Sequence, residues 1–193
     1  MPKNNSPTLA HVVYRTRKFE PMLGWYKAVF QAKVQHQNPA MAFLTYDDEH
    51  HRLAFIDLAV LQPEGEDSEQ RDLVGVEHIA YTFDSLDALF ENYTHLKTEG
   101  ILPYWCIHHG LTISMYYADP DGNQIEFQVD CFASPEESNA YISGPQFSVN
   151  PVGVEFDPGN WLAQVNAGGS FSDFLVRRIH EPVSPIRGAL SEV

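Results

Sequence analysis

Along the first part of the chain, apolar residues recur at helical spacing. Phe19, Leu23, Tyr26 and Phe30 stand 4, 3 and 4 positions apart and mark one face of a helix. Just before them, Ala10-His11-Val12-Val13-Tyr14 is a short β-rich run. The same succession returns further on. Glu77-His78-Ile79-Ala80-Tyr81 precedes Leu86, Leu89, Tyr93 and Leu96, spaced 3, 4 and 3. Asp84 or Ser85 is suited to cap that second helix, since either side chain accepts an orphan backbone N–H. The two stretches also end alike: residues 46–57 (YDDEHHRLAFID) and 118–129 (ADPDGNQIEFQV) align with Asp47 on Asp119, Leu53 on Ile125, Ala54 on Glu126 and Phe55 on Phe127. Asp119-Pro120-Asp121-Gly122 has the makings of a β-turn, because proline presets φ and aspartate bonds the local backbone.

This internal repeat predicts an α+β fold. Each half reads as strand, helix, then about three strands, giving two pseudo-symmetric βαβββ modules that form a curved mixed sheet around a cleft. The modules span residues 1–66 and 67–132 and make one fused domain, with the polar stretch 62–72 (QPEGEDSEQRD) as linker. Residues 133–193 form a C-terminal extension expected to pack on the core or on a subunit contact. It holds a strand-like VGVEF, a short helix over 161–165 and a loop-like end.

Composition narrows the function classes. The 193 residues (21.8 kDa) carry 12 Lys+Arg against 26 Asp+Glu, a net charge of −14. Such a surface repels phosphate backbones and anionic headgroups, so neither nucleic acid nor membrane is an expected partner. No run approaches the roughly 18 apolar residues of a membrane span. The start of the sequence lacks the apolar stretch of about 7–15 residues found in signal peptides. Cys106 and Cys131 make no disulfide framework, and a cytoplasmic location is the expectation.

The repeat places His11 and His78 at equivalent strand positions. Glu126 sits in the alternating run Gln124-Ile125-Glu126-Phe127-Gln128, and its counterpart Ala54 has nothing to ligate with. Two imidazoles and one carboxylate form a facial-triad donor set, suited to Fe(II) with open positions for substrate and O2; Mn(II) fits the same set. A single strand histidine is more often a hydrogen-bonded core residue. Two at repeat-equivalent positions, with a glutamate in an apolar alternation, reverse that balance. Taken alone, His50-His51 and His108-His109 read as turn residues and Tyr116-Tyr117 as core aromatics, while His36, His95 and His180 are structural. Trp25, Tyr104, Trp105, Phe127 and Phe132 are candidates for an aromatic pocket, and Arg52 can face either a cleft or solvent.

The repeat resembles the paired βαβββ modules of the vicinal oxygen chelate superfamily, which includes glyoxalases, fosfomycin-resistance proteins and extradiol dioxygenases. Within it, Ile107-His108-His109-GLTIS-Met115-Tyr116-YA-Asp119-Pro120-Asp121-Gly122-NQI-Glu126 is similar to the type I extradiol dioxygenase signature. The resemblance spans residues 8–132 and implies a compact, Fe(II)-dependent enzyme of aromatic catabolism. Such an enzyme opens a catechol-type ring, 2,3-dihydroxybiphenyl-like, with O2. It implies His11, His78 and Glu126 as metal ligands, His51 as the acid/base, and His109 and Tyr116 as catalytic groups on the catecholate. The half-to-half alignment sets His51 opposite Asn123 and does not choose between neighbours; motif spacing selects His51 over His50 and His109 over His108. The competing readings are a glyoxalase-like metal-dependent isomerase or lyase, and a metal-free small-molecule binding module. Ala54 stands against the fourth ligand of the former, and the retained triad against the latter. A homo-oligomer is expected, since such modules leave sheet edges to cover.

Overall fold

A computed structural model describes residues 11–48, 51–61, 63, 78–177 and 181–188. The expected linker 62–72 lies, apart from Pro63, outside the described residues, as do His50 and His180. By their contacts the residues divide into two compact units. One is the first repeat with the turn Asp119–Asp121, and the other is the second repeat with the C-terminal residues.

In the first unit, β1 (Val12–Thr16) leads into α1 (Phe19–Phe30), followed by β2 (Lys33–Asn38), β3 (Met41–Thr45), β4 (Leu53–Asp57) and a short α2 (Leu58–Leu61). Of the expected stripe on α1, Phe19, Leu23 and Tyr26 are buried, joined by Met22 and Val29, while Phe30 is only partly buried. The helix stops where Gln31 turns into the left-handed region at φ 50°. The four strands lie in the order β1-β4-β3-β2, with β1 and β4 parallel and the others antiparallel. Within this unit, Tyr26 donates its phenolic hydrogen to Asp119 Oδ2 at 3.1 Å, and Asp119 Oδ1 accepts from the Asp121 amide at 2.9 Å. Burial and the nearby Tyr14 and Asp119 raise the Tyr26 pKa far above the ordinary phenol value, so it is a donor throughout the working pH range. The Asp119 side chain thereby serves the turn at one oxygen and α1 at the other.

In the second unit the same order recurs: β5 (His78–Thr82), α3 (Leu86–Thr98), β6 (Trp105–His108), β7 (Thr112–Ala118) and β8 (Gln124–Asp130). Of the two candidate caps, Ser85 is the N-cap of α3, accepting from the Ala88 amide at 3.2 Å. Leu86, Leu89, Phe90, Tyr93 and Leu96 are buried on one face of α3. The strand order is β5-β8-β7-β6-β9, where β9 (Val154–Glu155) comes from the C-terminal residues and extends the sheet beyond β6.

The two sheets reproduce the sequence alignment of the halves. Val13 lies beside Ala54 in the parallel pair β1/β4, and Ala80 beside Glu126 in β5/β8. Glu126 and Ala54 thus hold equivalent positions, two residues along in register from His78 and His11. Three further helices follow, α4 (Pro135–Ile142), α5 (Pro145–Val149) and α6 (Pro158–Asn166), the last longer than the expected 161–165. Both cysteines are free thiols, pushed by burial up to about 12 in pKa. Among the described residues, no helix is long and apolar enough to cross a membrane.

Candidate functional site

Alternation along a strand decides which residues of the second sheet share a face. Register sets Trp105 of β6 beside Tyr116 of β7, Tyr116 beside Glu126 of β8, and Glu126 beside Ala80 of β5. His78 is two positions before Ala80 and so lies on the same face. Four strands therefore contribute Trp105, Tyr116, Glu126 and His78 to one row.

The row is hydrogen-bonded. His78 Nε2 is 3.0 Å from Glu126 Oε2, and the His78 ring meets the Tyr116 ring edge-on at 5.4 Å. Glu126 is only 4% exposed. Burial alone pushes a carboxyl pKa up, but hydrogen bonds from His78 and Ser114, with the His109 and His78 rings beside it, outweigh it. The net effect holds Glu126 below its usual value, and it is a carboxylate. A buried carboxylate thus faces a partly exposed imidazole.

His109 follows β6. Its Nδ1 hydrogen-bonds the Val152 carbonyl, and its Nε2 lies 3.2 Å from Tyr116 Oη and 3.9 Å from Glu126 Oε1. A carbonyl only accepts, so Nδ1 carries the hydrogen. Burial lowers the His109 pKa more than Val152 and Glu126 raise it, with His78 and Arg177 lowering it further. The ring is therefore neutral, and its Nε2 lone pair accepts from Tyr116. Trp105 closes this side, its ring 4.9 Å from that of Tyr116 and its indole N–H donated to Ser184 at 3.1 Å.

His108 points elsewhere. It is 4% exposed, its Nδ1 accepts from the Gly110 amide at 3.0 Å, and its ring meets Trp161 edge-on at 6.5 Å. Burial foremost, with Arg177 next, lowers its pKa to about 4. A histidine kept neutral in the fold and free to protonate when unfolded costs stability as pH falls from about 6.5 towards 4, and none above that window. From the two pKa values the loss approaches ~3 kcal/mol. His108→Gln is expected to flatten the midpoint-versus-pH curve of thermal unfolding within that window, measured by circular dichroism.

The first unit holds the other two expected residues. His51, just ahead of β4, lies against His11 with ring centroids 4.5 Å apart, and Phe43 meets His51 edge-on at 5.1 Å. Arg52 is committed to Asp47 at 2.9 Å. The candidates thus gather into two clusters, His11 with His51, and His78, Glu126, His109 and Tyr116. Among the described residues no group of three or more His, Cys, Asp or Glu side chains stands together as a metal cluster.

The aromatic candidates sort by strand face. Trp105 belongs to the row and Tyr104 borders it, donating to Gln124 Oε1 at 2.6 Å. Phe127 does not: next to Glu126 on the strand, it faces the opposite side, among Tyr81, Phe83 and Tyr117 in the core. Trp25 packs on Tyr26, and Phe132 on Tyr141. Sequence reasoning missed Val152 and Ser184, which meet His109 and Trp105 from the C-terminal extension. Val152 acts through its main chain, which leaves no residue-type signal.

Comparisons with known proteins bear on this arrangement. The profile of the Glyoxalase/Bleomycin resistance protein/Dioxygenase superfamily matches residues 8–127. The chain is 44% identical over 153 residues to "Biphenyl-2,3-diol 1,2-dioxygenase 2" of Rhodococcus globerulus, covering 79% of this chain and 78% of that protein. It is 40% identical over 174 residues to "Biphenyl-2,3-diol 1,2-dioxygenase 3" of the same organism, covering 89% of each. Two solved structures share the fold at TM-score 0.51. One is a fosfomycin resistance protein from Listeria monocytogenes (17% identity, 69% of this chain and 98% of that one). The other is a glyoxalase/bleomycin resistance protein/dioxygenase from Nocardioides (16% identity, 65% and 84%).

Proposed function

Because the chain belongs to the glyoxalase/bleomycin resistance protein/dioxygenase superfamily, we propose that it is a metal-dependent extradiol dioxygenase. In this reading it opens the ring of a 2,3-dihydroxybiphenyl-like catechol beside the two hydroxylated carbons and incorporates both atoms of O2. The observation that carries this reading is the row His78–Glu126–Tyr116, completed by His109, in a chain 40–44% identical to proteins named biphenyl-2,3-diol dioxygenases.

The donor chemistry fits an Fe(II) or Mn(II) ion. His78 and Glu126 are an imidazole and carboxylate pair already within 3.0 Å of each other, the first partly open to solvent, the second buried and ionised. His11, the repeat equivalent of His78, is the third ligand in this reading. Ala54, at the register position of Glu126, supplies no fourth donor, which counts against a glyoxalase-like isomerase or lyase. When bound, the ion lowers the pKa of a catechol hydroxyl and supplies the electronic coupling between catecholate and O2.

The chain's own residues do the rest. Tyr116 Oη, held by its bond to the His109 lone pair, orients a catechol hydroxyl by accepting from it. His109 Nε2 is positioned to take a proton relayed through that phenol. Trp105 and Tyr104 offer apolar faces to an aromatic substrate while keeping water from that edge. His51 serves as the acid/base that gives and recovers the proton at the dioxygen side. A cytoplasmic homo-oligomer belongs to the same proposal, and the two unpaired thiols agree with a reducing setting.

The direct test mixes anaerobically purified, Fe(II)-loaded protein with 2,3-dihydroxybiphenyl and smaller catechols in air-saturated buffer. Stoichiometric O2 uptake with a yellow ring-opened product is the expected outcome; no uptake from any catechol with one equivalent of metal bound overturns the reading. In the same assay Tyr116→Phe is expected to lower kcat modestly, by about five- to tenfold, as for one lost hydrogen bond of roughly 1 kcal/mol.

A further inference from the structure

The tautomer of His109 is set by a carbonyl outside the family-matched residues 8–127, and something must hold that carbonyl in place. Val152 lies in a tight turn clamped by the Asn150 side chain. Asn150 Oδ1 accepts from the Gly153 amide at 2.7 Å, and its Nδ2 donates to the Gly153 carbonyl at 3.1 Å. Gly153 has φ 124°, and a Cβ there would lie 2.6 Å from the His108 carbonyl oxygen, so the turn sits hard against the end of β6.

One side chain ties this turn to His109. Arg177 is 8% exposed. Its Nη1 donates to the His109 carbonyl at 2.8 Å and to the Asn150 carbonyl at 2.7 Å, and its Nη2 donates to the Gln146 carbonyl at 3.2 Å. A single rigid guanidinium therefore bridges the backbone of His109 to the backbone two residues before Val152. The ring bond Nδ1–H to Val152 is closed at both ends by the same cation.

We propose that Arg177 is the positioning residue that fixes His109 in its Nδ1–H form, so that the Nε2 lone pair faces Tyr116. The C-terminal extension is then a working part of the site. Residues that orient a functional histidine through its second nitrogen are worth a factor of about 10–100 in activity. The catalytic consequence rests on the dioxygenase reading; the tautomer does not.

The test uses 15N-histidine-labelled full-length protein without added metal, with His109 assigned by its loss in His109→Gln. Long-range proton–nitrogen correlation spectra distinguish the two tautomers. The wild-type His109 is expected in the Nδ1–H form. Arg177→Met is expected to give a mixture or the Nε2–H form, and, once Fe(II)-loaded, a kcat about 10–100-fold lower with a much smaller change in KM. Arg177→Lys, which keeps a donor but not the fork, is expected to fall between them and covers the case of Arg177→Met failing to fold. An Nε2–H tautomer in the wild type overturns the proposal, as does a folded Arg177→Met or Arg177→Lys with wild-type tautomer and kcat. A tautomer shift in the variants of a wild type that cleaves no catechol sinks the dioxygenase reading and leaves the positioning role standing.

Discussion

Replacing Glu126 with alanine is expected to abolish metal retention and ring cleavage together, with activity down at least ~1,000-fold, the scale set by several kcal/mol of lost metal-assisted stabilisation. Glu126 is the buried carboxylate of the proposed ligand set, ionised although it is only 4% exposed, and His78 Nε2 is directed at it from 3.0 Å. Its removal takes away the anionic donor and leaves two imidazoles, one ligand short of the facial triad. The fold is expected to survive, because Glu126 adds little to the apolar core and relieving a buried charge offsets the bonds lost. Metal content after anaerobic loading and desalting, O2 uptake and circular dichroism check the three parts. One equivalent of retained metal would remove Glu126 from the ligand set.

His51→Ala is expected to leave metal content and catechol binding intact while slowing turnover by roughly 100- to 10,000-fold, the range for loss of a general acid–base group. His51 is suited to that work. It is half-buried just ahead of β4, its ring tilted against that of His11 at 4.5 Å and braced edge-on by Phe43, so it is held in place. Binding by the variant, followed as the spectral change of catechol added anaerobically, separates this role from ligation. Turnover equal to that of the parent would transfer the role to His50 or remove it from this pair altogether.

The frame of the fold was legible because the chain says it twice. The Ala54–Glu126 correspondence, inferred from aligning two acidic turns, reappears as equivalent register in two separate sheets. The helix stripes and the Ser85 cap followed from spacing and from side-chain chemistry. Where a reading failed, local geometry had been left out of it. Phe127 cannot share a pocket with Glu126, since adjacent strand residues face opposite ways. Two residues left no trace: the Val152 carbonyl is a group every residue carries, and Arg177 is one arginine in an irregular stretch. Tyr26 looked like core on a helix face, and only the fold reveals that its hydroxyl holds the Asp119 turn.

Parallel pairing of β5 with β8 has a consequence for how the protein comes to be. His78 opens the second repeat and Glu126 lies in its last strand, so the two meet only after the helix and the two intervening strands have formed and a long loop has closed. Such non-local closure is the slow, entropically costly part of folding. On the ribosome, a chain that has not yet emerged through Asp130 carries His78 without its partner. A dication held by this pair binds only the completed module, and its binding free energy adds to the stability of that state alone. A dication held by His78 and Glu126 would thereby act as a checkpoint on assembly as well as serve the proposed chemistry.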